Sequence, residues 1–93
     1  MLSKTDIAAM KLNAIAGLGS KKDFIDLYFL LNDFSLKQML GFYSEKYFDG
    51  SEFMVVKSLS YFEEANFQPQ PEMYIDFDWE KCKKKIIEEV INL

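Results

Sequence analysis

The feature that most constrains this fold is the apolar segment at residues 6–31, DIAAMKLNAIAGLGSKKDFIDLYFLL, where Gly-Leu-Gly-Ser separates two helix-length runs. In the first run apolar residues cover nearly every side of a helix, so we expect protein to enclose it. The second run carries apolar residues at helical spacing. Three charges interrupt the two runs, namely Lys11, Asp23 and Asp26. The segment therefore predicts two packed helices with a lysine facing two carboxylates.

Capping signals set the limits of the first helix. Ser3 or Thr5 is expected to cap its start, with an acidic residue in the first turn. The helix then runs to about Ala16. Gly17 and Gly19 follow, and glycine readily adopts the left-handed backbone that stops a helix. These signals predict a short turn before the second helix.

Two further helices begin with the same capping pattern. Ser20 with Asp23 three residues later predicts a capping box for a second helix at residues 21–32. Ser35 with Gln38 gives the same signal for a third helix, which continues on apolar spacing to the turn at Asp49 and Gly50. Helices of this length joined by short turns favour a compact helical domain.

The second half of the chain is less regular. Residues 51–61 predict a fourth helix whose inner face carries Phe53, Val56, Leu59 and Ser60, although the β-branched valines leave a strand open. Residues 62–76 contain both prolines and show no period, which predicts an ordered loop. The large apolar residues expected to anchor this loop are Phe67, Met73 and Tyr74.

A last helix is predicted from Asp76 or Asp78, either of which can cap it, to the end of the sequence. Its apolar stripe consists of Trp79, Cys82, Ile86, Val90 and Leu93, flanked by Ile87 and Ile91. The prediction is a single all-α domain over residues 1–93 with about five helices, in which helices one and two form an antiparallel hairpin.

Composition excludes several classes of function. The chain has 93 residues, a net charge of -4 and neither arginine nor histidine, so no positive field directs it to nucleic acid or anionic lipid. The commonest general base and transition-metal ligand is absent. Cys82 is the single cysteine, which excludes an internal disulfide and favours a reducing, cytoplasmic location. No signal peptide or membrane span is expected, because no apolar run approaches about 20 residues.

The spacing of Lys11 and Asp26 predicts that they meet. Lys11 lies five residues before Ala16, and Asp26 lies five residues after Lys21. In an antiparallel hairpin each lies about 8 Å from the turn at ~1.5 Å per residue, so the two are level. One interpretation is an ion pair that offsets the free-energy cost of burying the lysine ammonium. The other is a lysine aimed at a phosphate and held in place by the aspartate.

Other charged residues have structural explanations. Asp23 is expected to cap the second helix, while Lys21 and Lys22 are expected to be solvated, with an anion as their alternative partner. Asp76 and Asp78 have the spacing of a metal-binding pair, but a helix pattern follows them directly and favours capping. The thiol of Cys82 is expected to pack in the core. A solvated basic face is expected for Lys81, Lys83, Lys84 and Lys85.

The segment DIAAMKLNAIAGLGSKKDFIDLYFLL, continued by FSLKQML, resembles the C-terminal helical part of the AbiEii/AbiGii toxin family of nucleotidyltransferases. This family belongs to bacterial abortive-infection and type IV toxin-antitoxin systems. The later segments YFEEANFQPQPEM and FDWEKCKKKI look like the closing loop and last helix of that family. The resemblance covers nearly all of the chain and is most specific at the first two helices.

The resemblance implies a division of roles. The family's lysine motif matches Lys11 and its following aspartate motif matches Asp26, with Asp23 beside it. The lysine would contact a nucleoside triphosphate, and the aspartate would orient that lysine. The family's turn arginine is missing here, which leaves Lys21 or Lys22 as possible substitutes. Mg²⁺ is held in the family by an N-terminal core with Gly-Ser and Asp-x-Asp motifs, which this chain lacks, so no metal ligand is expected here.

Three hypotheses follow from these observations. The first is the C-terminal half of such a toxin, inactive alone, which with a complementing core chain would transfer a nucleotide to RNA such as a tRNA 3′ end. The second is a small helical interaction module that docks on a partner or forms a homo-oligomer. The third is a complete metal enzyme that uses Asp76 and Asp78.

Overall fold

A computed structural model describes residues 3–17, 19–69 and 77–93. These residues form six helices and no strand, so the predicted all-α class is confirmed. The helices are α1 (Lys4–Ala16), α2 (Lys21–Leu30), α3 (Leu36–Lys46), α4 (Glu52–Leu59), α5 (Glu63–Phe67) and α6 (Trp79–Ile91). The second helix ends two residues before the predicted limit, because the chain enters a turn after Leu30.

Side-chain caps begin most of the helices, as the sequence predicts. In a capping box the serine hydroxyl accepts the N–H of the third helical residue, whose side chain accepts the serine N–H. This arrangement is present three times, as Ser3 with Asp6, Ser20 with Asp23, and Ser35 with Gln38. Ser51 caps α4, and Asp78 caps α6 by accepting the N–H of Lys81 at 3.1 Å. Asp76, the other cap candidate, lies outside the described residues.

The turn between α1 and α2 does not use left-handed glycine, so that prediction is wrong. Gly17 has φ -98° and ψ 34°, and its N–H donates to the Ala14 carbonyl at 3.2 Å, which closes α1 with a tightened last turn. Gly19 also lies outside the left-handed region. Its hydrogen is needed for close packing, because a Cβ there would lie 2.8 Å from Cα of Ile15.

α1 is the central helix of the fold. It packs against α2, α3 and α4. The last helix, α6, packs against α2 and α4. The side chains that α1 and α2 place in the core are Ala8, Ala9, Leu12, Ile15, Phe24, Ile25 and Leu27. α1 and α2 are in contact as predicted, and their short connection brings residues 11, 23 and 26 together.

The inner face of α4 matches the predicted one at Leu59 and in part at Val56, but not at Phe53 or Ser60. Val55 and Leu59 are fully buried, whereas Phe53 is 73% exposed. Four consecutive apolar residues at 53–56 allow more than one helical stripe, so the period does not choose between them. Contact with both α1 and α6 selects the side that carries Val55 and Leu59.

The predicted loop at residues 62–76 begins with a short helix, α5. Phe67 was expected to anchor this loop but is 86% exposed. The anchors are instead Phe62 and Ala65, and the Phe62 ring lies 5.1 Å from that of Phe24 and 5.9 Å from that of Trp79. Two other predicted anchors, Met73 and Tyr74, lie outside the described residues.

The stripe of α6 is confirmed except at its end. Trp79, Cys82, Ile86 and Val90 pack in or against the core, while Leu93 is 51% and the flanking Ile91 75% exposed. α6 thus stays in contact with the core into its last turn.

Cys82 is expected to be unreactive in the folded protein. Its thiol is fully buried and donates to the Phe24 carbonyl at 3.6 Å. Burial raises the pKa of Cys82 to about 12, and the charge of Lys83 opposes this only in part. Alkylation by iodoacetamide across a urea titration should follow the unfolding transition. Rapid labelling without urea would contradict the buried position of this thiol.

Candidate functional site

The candidate site is the contact between α1 and α2 at Lys11. The Lys11 Nζ lies 2.8 Å from Asp26 Oδ2 and 3.4 Å from Asp23 Oδ1. The level placement predicted from spacing is therefore present, and Lys11 faces both carboxylates, as the sequence predicts. One ammonium between two carboxylates leaves the cluster with a net negative charge.

Asp23 has two separate tasks, one for each carboxylate oxygen. Its Oδ2 accepts the Ser20 N–H and the Ser20 hydroxyl, each at 3.1 Å, as part of the α2 cap. Its Oδ1 accepts the Lys11 ammonium at 3.4 Å. The capping role predicted for Asp23 is confirmed, and the cap holds the second oxygen toward Lys11.

The cluster lies at the surface of the fold. The side chains of Lys11, Asp23 and Asp26 are 26%, 22% and 22% exposed. Lys11 also lines a shallow recess of about 230 Å³ together with Ile7, Met10 and Ala14. We expected protein to enclose α1 on nearly every side. This expectation is wrong at the recess, where Ile7 and Met10 are 38% and 40% exposed and no described helix covers them.

The electrostatics of the cluster keep Lys11 charged. Burial by itself would lower the pKa of Lys11, but its hydrogen bond and charge interaction with Asp26, followed by those with Asp23, outweigh it. The pKa of Lys11 is consequently raised above its ordinary value of 10.5. A permanently protonated lysine can donate hydrogen bonds and attract an anion, but it cannot act as a general base at neutral pH.

Substitution Lys11→Met is expected to lower the free energy of unfolding by about 1–2 kcal/mol, because two half-buried carboxylates then face each other without a cation. Since the pKa of Lys11 is raised on folding, this stabilisation is fully present at neutral pH and is lost as pH rises above about 10.5. Urea titrations of both proteins at several pH values measure the difference. A difference that grows with alkaline pH would contradict this account.

The matched control is Lys4→Met, which removes another lysine of α1. Lys4 pairs with Asp33 at 2.9 Å, but these side chains are 66% and 44% exposed. An exposed pair contributes less than about 1 kcal/mol, so we expect a smaller change at every pH.

Lys21 is not solvated as expected. It is only 7% exposed, its Nζ lies 5.1 Å from the centre of the Trp79 ring, and its backbone N–H donates to Gln68 Oε1 at 2.6 Å. The aromatic face of Trp79 attracts the ammonium and shields the stem. Lys22 is exposed, as predicted. Of the two lysines proposed as phosphate contacts, Lys22 is thus the one open to solvent.

The basic run of α6 is divided between two environments. Lys81 and Lys84 are exposed, as expected for a solvated face. Lys83 is only 17% exposed and contacts Glu80 Oε1 and Asn66 Oδ1, each at 3.0 Å. The same Asn66 oxygen accepts the Trp79 indole N–H at 2.8 Å, so Lys83 belongs to a structural network. The run itself carries no signal of this, because Asn66 is distant in sequence.

Among the described residues, no group of three or more potential metal ligands is found. Asp78 is occupied as a helix cap, and its proposed metal partner Asp76 lies outside the described residues. No described helix is long and apolar enough to cross a membrane.

Comparison with known proteins finds a relative without an assigned activity. An uncharacterized protein of Aquifex aeolicus is 41% identical over 95 residues, an alignment that covers 94% of this chain and 44% of that protein. This chain therefore spans less than half the length of that relative. No protein-family profile matches the chain. No solved structure matches it either.

Proposed function

We propose that this chain is the C-terminal helical part of a nucleotidyltransferase-like toxin of the AbiEii/AbiGii type, active in the bacterial cytoplasm. In this proposal Lys11 contacts the triphosphate of a nucleoside triphosphate, and Asp26 orients Lys11. The observation that supports it best is the ammonium of Lys11, which two carboxylates hold at an open face of the fold. The toxin class itself comes from the sequence resemblance.

The geometry of the cluster suits a phosphate contact. An ammonium has three donors, so Lys11 can keep its bond to Asp26 while another hydrogen points toward a ligand. Two carboxylates on one helix hold the lysine ammonium in place before the ligand arrives, which reduces the entropy lost on binding. The apolar recess beside Lys11 offers space for a further part of the protein rather than for a free triphosphate.

The residues of this cluster do not fit a magnesium ion. Both aspartates are already bonded to Lys11, and Asp23 also holds the cap of α2. A divalent cation there would be repelled by the ammonium. The proposal therefore assigns Mg²⁺ to a separate core with an Asp-x-Asp pair, and assigns to this chain only the positioning of phosphate.

The length of the Aquifex relative supports a division of this kind. The matched region is 44% of that protein, which leaves more than half of it for another domain. Under this proposal the two parts meet over the open face of α1, and the chain alone transfers no nucleotide. The proposed acceptor is RNA, such as a tRNA 3′ end.

The test begins with the coding sequence immediately upstream of this chain. A segment with Gly-Ser and Asp-x-Asp motifs is expected there, and its product is mixed with this chain, labelled nucleoside triphosphate, Mg²⁺ and RNA. We expect transfer from the mixture and none from either part alone. Absence of such a segment, or a mixture that binds no triphosphate, would overturn the proposal.

The second candidate is a helical interaction module without catalytic activity. Its support is the exposure of large apolar side chains on α1 and α2, with Ile7 38%, Met10 40% and Phe29 43% exposed. Of these, Ile7 and Met10 line the recess beside Lys11, and an exposed apolar surface often marks a site of association. Sedimentation at several concentrations tests self-association, and we expect Met10→Lys to weaken it. A species that stays monomeric at every concentration would exclude the homo-oligomer.

A further inference from the structure

A second recess shares no residue with the Lys11 cluster or with the recess beside it. It has a volume of about 340 Å³ and lies where the end of α1, the start of α2, α4 and α5 meet. Ile15, Phe24 and Ala65 form a floor that is at most 2% exposed, so the accessible apolar surface comes from Met54 and Tyr61 at the rim, each 47% exposed. The recess is therefore a concave apolar surface open to solvent on one side.

The size of the recess suits a small ligand. Small-molecule sites are concave, mostly apolar and typically about 300–1,000 Å³, with a few polar groups that fix orientation. This recess lies at the lower end of that range. A docking helix would need a longer groove, since its anchors recur over several turns.

The polar groups of the recess are grouped on α4 and just after it. Lys57 lines the recess and is exposed, and it forms no ion pair with any described residue. The hydroxyl residues Ser58 and Ser60 line it as well. A cation with two hydroxyls beside an apolar floor matches a molecule with a short hydrocarbon chain and one anionic head.

We propose that this recess binds a medium-chain carboxylate. The hydrocarbon chain packs on the exposed faces of Met54 and Tyr61, and the carboxylate accepts hydrogen bonds from the Lys57 ammonium at the rim. The proposal uses none of the residues of the Lys11 cluster, so it stands or fails independently of the proposed nucleotide transfer.

The test is a titration of the folded chain with octanoate, followed by the methyl resonances of Ile15, Met54 and Ala65. These signals are expected to shift in a saturable way, while the methyl signal of Met39, which is buried in α3 and does not line the recess, stays in place. Hexanoate should bind more weakly than octanoate, by about fourfold for each methylene that becomes fully buried.

The charge of Lys57 is tested with matched variants. Lys57→Met should weaken octanoate binding by about fivefold, as expected for an exposed charge pair. Lys37→Met removes an exposed lysine from α3, away from the recess, and should leave binding unchanged. Octanol carries no charge for Lys57 to attract. Its affinity for the wild-type protein should therefore be about the same as the affinity of octanoate for Lys57→Met.

Three results would overturn the proposal. The first is the absence of saturable shifts at the floor methyls. The second is equal binding of octanoate by wild type and Lys57→Met, which would remove the role of the charge. The third is a shift of the same methyls with protein concentration alone, which would make a second copy of the chain the occupant.

Discussion

Substitution Phe24→Ala is expected to lower the free energy of unfolding by about 3–5 kcal/mol, the usual loss for truncation of a buried aromatic side chain. Phe24 is 2% exposed and lies where α2, α5 and α6 come together. Its ring is 5.1 Å from that of Phe62 and 6.2 Å from that of Trp79. The truncation leaves a cavity between three elements, and none of them can close it without losing its other contacts.

The control for this prediction is Phe48→Ala, which removes the same atoms from a side chain that is 85% exposed. Its free energy of unfolding should stay within about 0.5 kcal/mol of wild type. Urea titrations followed by circular dichroism compare the three proteins. Equal losses from both substitutions would show that Phe24 is not a centre of the core.

Substitution Gly19→Ala is expected to destabilise the protein by about 1–3 kcal/mol, because it overpacks a close contact. A methyl group there would lie 2.8 Å from Cα and 2.9 Å from Cγ1 of Ile15. The nearest atom belongs to the backbone of α1, so it cannot move aside as a flexible side chain would. Relief requires a shift of the turn that leads into α2 and its capping box.

Gly41→Ala is the matched control and is expected to have the opposite sign. Gly41 lies inside α3, is exposed, and has nothing within 4 Å of the position of an added Cβ. Alanine in a helix interior is more stable than glycine by about 0.5–1 kcal/mol. Thermal unfolding of both variants measures the two effects. A change of the same sign in both would contradict the close approach at Gly19.

The helices of this fold are predictable from local signals. Ser20 with Asp23, and Ser35 with Gln38, mark helix starts within three residues of sequence, and the structure confirms both. Capping depends only on neighbouring residues, which is why it can be predicted without knowing the fold.

The side that a helix buries is harder to predict when apolar residues are consecutive. Phe53 was expected to face the core but is exposed to solvent. The apolar run at residues 53–56 is compatible with several buried helix faces, and the packing of α4 on α1 and α6 determines which face is buried. Burial of Lys21 was missed for a related reason. Trp79, which shields it, is far away in the sequence and meets it only in the folded chain.

The contact at the candidate site was predictable in part. Counting residues from the turn places Lys11 level with Asp26, and the structure has them 2.8 Å apart. Asp23 was expected to face Lys11 and was also assigned to capping, and the structure shows both contacts, at 3.4 Å and 3.1 Å. A carboxylate has two oxygens, and the sequence alone does not show that the cap uses one and leaves the other for Lys11.

Lys11 is 26% exposed beside an apolar recess, and the proposed half-site is the interpretation that gives this recess a role. A purely structural ion pair explains the contact, but it gives no reason for the exposed apolar recess that Ile7 and Met10 form beside it. A half-site that another domain covers explains both features. The function of this face is therefore best tested through Lys11.

The most direct measurement is the rate of nucleotide transfer to RNA by this chain combined with the proposed upstream core, for Lys11→Met and Lys4→Met. We expect the first to lower the rate by at least about a hundredfold, the usual effect of losing one positioned donor to developing charge. The second removes an exposed lysine of the same helix and should leave the rate unchanged. If Lys11→Met is folded and transfers nucleotide as fast as wild type, Lys11 is a structural ion pair and the account is wrong.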